Sequence, residues 1–164
     1  MNDESEVRKD VFAWFGSTAY AAQCFEVELC ILLLLVRRLN EPSITPEELE
    51  IVDTKLSRGT LGTLLRELKK HLVIHPDFQK MLDGYLDKRN FLMHHFFFEH
   101  AGDLLAPDGC KKMIEQLKDH YASLKEADAI AQSMSRNMRK HLGISEEEVQ
   151  ALTEANIRNF LNDE

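Results

Sequence analysis

PDFQKMLDGYLDKRNFLMHHFFFEH, residues 76–100, is the stretch on which the fold turns. Pro76 and Asp77 suit the first turn of a helix, where a missing N–H costs nothing and an acidic side chain faces the positive end of the dipole. With Leu82 at zero on a wheel of ~100° per residue, Phe78, Leu82, Leu86, Met93, Phe96 and Phe97 fall within about 60° of it. That arc predicts the core face of a helix running to about His100. Arg89 lies within about 20° of its centre, where a guanidinium is costly to desolvate without an anionic or polar partner. Asn90 and His94 are four apart on one shoulder, so the amide can orient the imidazole, while Arg89 and His94 sit about 140° apart. Phe91 and Phe98 fall nearly opposite Leu82, with His95 nearby. A helix apolar all round is buried all round, and in a small bundle a second copy of the chain is the simplest cover.

Helical signals extend in both directions from this segment. Upstream, a long helix is predicted from about Val7 to Leu39, with Gly16 and Ser17 as a candidate break or kink. Thr45 as N-cap and Pro46 at the first helical position open a short helix. Thr60 caps a second, in which Leu61, Leu64, Leu65, Leu68 and Leu72 recur at helical spacing and Gly62 is read as a close-packing point. Downstream, the APDG stretch (106–109) starts a long amphipathic helix, about Pro107 to His141, and Gly143 suits a left-handed C-cap. Ser145 and Glu148 form a capping box for an acidic terminal helix. Sustained period-2 alternation is absent from the sequence. The expected fold is all-α: one domain over residues 1–164, comprising an antiparallel helical bundle (7–140) and an additional C-terminal helix (145–162).

The 164 residues suffice for one ordinary domain, and 44% hydrophobic with 29% charged residues is a globular composition. The net charge of −8 is concentrated at the ends, so a general nucleic-acid coat is disfavoured while a local basic pocket remains allowed. Cys24, Cys30 and Cys110 are odd in number and lack zinc-finger spacing, which fits reduced thiols in a cytoplasmic protein. The acidic start MNDESEVRKD is unlike a secretory signal, and the longest apolar run, Cys30–Val36, falls well short of the ~20 residues that span a bilayer. No membrane partner is expected.

The run Arg89-Asn90-Phe91-Leu92-Met93-His94 resembles the Arg-polar-x3-His signature of the HEPN superfamily. The resemblance covers roughly residues 15–130, and about six residues of it are specific. It implies an all-α bundle that dimerises so that two motifs face each other, with Phe91, His95 and Phe98 in the interface. It further implies metal-independent RNA cleavage: His94 handles protons at the ribose hydroxyl, Arg89 stabilises the phosphate in the transition state, and Asn90 orients the site. Gln23 and Glu26 on the first helix resemble the family's supporting polar residues, and Lys88 would line an RNA groove. Histidine titrates near neutrality and the arginine fork matches a phosphate, so the residue types suit those roles. Toxin and RNA-processing roles, with RNA or a cognate protein as partner, follow from the same resemblance.

The bare Arg-x4-His spacing recurs at Arg66/His71 and Arg136/His141, but neither has both the adjacent amide and the bulky apolar flanks. His95 and Glu99 are four apart, yet His94 and His95 point about 100° away from each other, so no metal site and no cofactor are expected. The competing reading is a non-catalytic helical dimer serving as a protein-interaction or regulatory module.

Overall fold

The computed structural model describes residues 2–162. It is all-α: helices α1 (Asn2–Asn40), α2 (Pro46–Leu56), α3 (Leu61–His71), α4 (Pro76–His94), α5 (Phe96–Glu99), α6 (Pro107–His141) and α7 (Glu146–Asn162), with a 3₁₀ turn at Asp103–Leu105. The helix starts follow from local chemistry. Thr45 accepts from the Glu48 N–H while the Glu48 carboxylate accepts from the Thr45 N–H, and Ser145 with Glu148 repeats that box. Thr60 accepts from the Thr63 N–H at the head of α3. At the end of α6, Gly143 takes φ +72°. The Ile144 and Gly143 N–H groups return to the Arg139 and Lys140 carbonyls, completing a Schellman stop.

The two longest helices, α1 and α6, form the spine. Val11 clusters with Met113, Thr18 donates to the Leu117 carbonyl, and Phe25 clusters with Ala127 and Ala131. Residue numbers rise together along the contact, so α1 and α6 run in the same direction. The return path is α4 continued by α5: Tyr85 of α4 meets Phe25 and Phe96 of α5 meets Phe15, antiparallel to α1, while Lys88 meets Ser123 and His100, just past α5, meets Gln116, antiparallel to α6. The expected antiparallel order thus holds for α4 against both spine helices but not between them. Parallel neighbours cannot be joined by a tight turn, and the segment from α2 to α5 is their crossover.

Two main apolar clusters stack along the spine. One joins Phe25, Leu29 and Leu32 to the α3 stripe Leu61, Leu64, Leu65 and Leu68 and to Leu82 and Tyr85; the other joins Val11, Leu92, Phe96, Cys110, Met113 and Leu117. Leu72 is only partly buried.

Three local expectations need correction. Gly16 and Ser17 do not break α1, which is continuous through them, with the Ser17 hydroxyl donating to the Ala13 carbonyl one turn back. A Cβ on Gly62 would meet Leu86 at 3.7 Å, ordinary contact, so no close approach requires that glycine. The helix expected to reach His100 stops at His94, and His95, at φ −125° and ψ −24°, separates it from α5. Phe96, past that break, is buried as the arc predicts, so the departures lie within α4 itself. Tyr85 and Leu92 are buried, whereas Met93, assigned to the core arc, is 44% exposed.

α1 is apolar on both sides. Its window of highest mean hydropathy, 1.8, is 44% buried, making it the one helix among the described residues long and apolar enough to cross a membrane. The buried side is core. The outer side leaves Phe12, Tyr20, Val27 and Ile31 exposed, without a charged residue between Asp10 and Glu26.

Candidate functional site: the Arg89–Glu26 pair and its surroundings

Arg89 sits between the two apolar clusters, one turn from Tyr85 and one turn from Leu92, and points from α4 to α1. Its Nε donates to Glu26 Oε1 at 2.9 Å, and Nη1 donates to Asn90 Oδ1 at 3.4 Å. The Arg89 and Glu26 side chains are 19% and 20% exposed. The anionic partner demanded by an arginine on an apolar face is therefore Glu26. For a pair this largely buried, removing either member would strand the other's charge, a larger penalty than the pair's own net contribution.

The remaining motif residues take other positions. The Asn90 amide accepts from Arg89, and among the described residues no hydrogen bond joins Asn90 to His94. His94 is exposed at the end of α4, with its ring 6.4 Å from that of His95 and steeply inclined to it. Among the described residues no hydrogen bond joins Arg89 to His94, and the guanidinium is engaged by Glu26 and Asn90 while the imidazole is exposed. Lys88, expected at an RNA groove, instead donates to the Ser123 hydroxyl on α6 at 2.6 Å. Gln23 is exposed and shares a groove of about 370 Å³ with Glu26, Cys30 and Asp53. Burial raises the Cys30 thiol's pKa above its usual value, with the Asp53 and Glu26 carboxylates acting in the same direction.

The proposed interface residues also divide. Phe91 is covered from within, its ring edge-on to Phe96, His100 and His120. The wheel placed it opposite Leu82, but α6 wraps that flank of α4. His95 is exposed at the helix break, and Phe98 is 85% exposed. Among the described residues no group of three or more His, Cys, Asp or Glu side chains is disposed to hold a metal.

Sequence reasoning missed a polar seam between α5 and α6. The two ring nitrogens of His100 lie 2.8 Å from Asp103 Oδ2 and 2.7 Å from Gln116 Oε1. Only the short His100–Asp103 spacing hinted at it. Beside the seam, His120 is half-buried and its Nδ1 is buried without a hydrogen-bond partner. Burial pushes this imidazole below the usual histidine range; Lys88 adds to the effect and Asp119 opposes it. The native state thus resists a proton that the unfolded chain accepts near pH ~6.5. Stability from this group is complete above that pH and is lost as pH falls through it. The wild-type melting temperature is expected to fall more between pH 7 and 5.5 than that of His120→Gln. Parallel melting curves across that range would exclude a stability role for neutral His120.

A scan against protein-family models found no match, and searches of curated proteins and of solved structures matched nothing.

Proposed function

We propose that the chain is a HEPN-like, RNA-directed module that acts as a cytoplasmic homodimer and cleaves RNA without a metal, in a toxin or RNA-processing setting. The observation that carries this reading is the division of the motif: Arg89 is oriented by Glu26 and Asn90, while His94 stands exposed beside uncovered Met93 and Phe98. One chain does not bring guanidinium and imidazole to one phosphate, but a two-fold partner seated on that apolar surface supplies the second set. The surface extends through Phe97, stacked on Phe12, to the charge-free outer side of α1.

A second reading, the non-catalytic dimer or cognate-protein binder, is favoured by two observations. Glu26 already neutralises Arg89, and Asp53 adds a further carboxylate to the adjoining groove. Both disfavour an RNA phosphate unless Glu26 moves. Sedimentation velocity at tens of micromolar tests the shared premise: a dimer that dissociates in Phe98→Glu is expected. A monomer would overturn the homodimer and, with it, the composite site of the ribonuclease reading.

A further inference from the structure

A cavity of about 210 Å³ lies between α1, α2 and α3, and shares Gly59 and Leu64 with the groove that Glu26 lines. Leu33, Leu56 and Leu64, all buried, form its apolar wall. Its polar lining gathers Arg37, Lys55 and His71 from three different helices. The Arg37 Nη2 reaches Glu41 at 3.0 Å, but its Nε is buried and has no hydrogen-bond partner. An orphaned buried donor on a guanidinium is costly, and the side-on Nε edge is the one that matches an oxyanion. Among the described residues Lys55 forms no side-chain hydrogen bond or ion pair. The lining carboxylate, Glu67, is engaged by Lys70 at 2.6 Å, which is also the chief reason its pKa lies below the usual value. Arg37 is thus partly taken up by Glu41 and Glu67 by Lys70, and among the described residues Lys55 is the lining cation left without a paired carboxylate.

We propose that this cavity binds a small amphiphilic anion, a short-chain or single-ring carboxylate or phosphate, with its head on Arg37 Nε and Lys55 and its apolar body against Leu33, Leu56 and Leu64. The volume is below the roughly 300–1,000 Å³ of drug-sized pockets, which limits the body to a few carbons or one ring. The head group selects for charge, and the leucine wall rejects a free inorganic ion. This assignment is independent of any RNA chemistry at Arg89.

Titration of the full chain with hexanoate, phenyl phosphate, hexanol and inorganic phosphate, followed by amide chemical shifts, tests the proposal. Hexanoate or phenyl phosphate should saturate in the range of about 10 μM to 1 mM and shift Val52, Thr63 and Leu64. Whichever of the two binds more tightly identifies the head group. Hexanol and inorganic phosphate should each bind at least tenfold more weakly. Lys55→Gln, an exposed substitution that leaves the core untouched, and Arg37→Gln should each weaken the preferred anion about tenfold, as loss of a charged contact does. Hexanol binding as well as hexanoate, unchanged affinity in both variants, or no shift with either organic anion at 10 mM would overturn the proposal.

Discussion

His94→Ala is expected to lower RNA cleavage by two orders of magnitude or more, with the helical far-ultraviolet spectrum unchanged. In the proposed reaction an imidazole takes the proton from a ribose 2′-hydroxyl, and the oxygen attacks the adjacent phosphorus. The 5′-oxygen then leaves with a proton, giving a 2′,3′-cyclic phosphate end. Removing the base deletes a contribution of about 10²–10⁴-fold. The fold should survive, because His94 is exposed and contacts only His95 among ring neighbours. Arg89→Lys is expected to fail for a different reason. The guanidinium simultaneously holds Glu26 and Asn90, and a single ammonium cannot reproduce that fork. Cleavage should persist in excess chelator. If purified wild-type protein cuts no RNA, or His94→Ala cuts equally well, the ribonuclease reading falls and the non-catalytic dimer stands.

Arg89 and His94 were unequally legible in sequence. A partner for Arg89 could be anticipated because the cost of a desolvated guanidinium does not depend on fold, and Glu26 satisfies it. The Asn90–His94 link could not, since i,i+4 spacing permits a contact without choosing it, and the amide turns instead to Arg89. Local signals behaved similarly. Thr45, Thr60, Ser145 and Gly143 fix helix ends through bonds to residues a few positions away, so the chain itself contains the information. His95 interrupts a helix without glycine or proline, and nothing nearby announces it. The covering of Phe91 by His120 and the parallel course of α1 and α6 depend on how separate helices dock, which a wheel drawn for one helix does not encode.

Docking also makes Gly109, buried at the start of α6, sensitive to a single added carbon. A Cβ on Gly109 would stand 2.2 Å from the Asp103 carbonyl oxygen and 2.6 Å from its Cα. Those atoms are backbone, so no side-chain rotation relieves the overlap. The 3₁₀ turn that carries Asp103 is fixed in several ways: Asp103 accepts from His100, the Cys110 thiol approaches the Leu104 carbonyl at 3.5 Å, and Arg8 Nε donates to that same carbonyl. Gly109→Ala must therefore move the turn away from α6 and loosen these contacts together. The helix-propensity gain of about 1 kcal/mol offsets only part of an overpacking cost of ~1–3 kcal/mol or more, here taken at its upper end because backbone must shift. A net loss of about 2 kcal/mol is expected, seen as a melting temperature lower by roughly 4–8 °C for a chain of this size. Gly84→Ala, in mid-α4 with nothing within 4 Å of the added carbon, is the matched control and should raise it. Gly109→Ala melting at or above wild type would mean that the 3₁₀ turn does not pack against the start of α6 in solution.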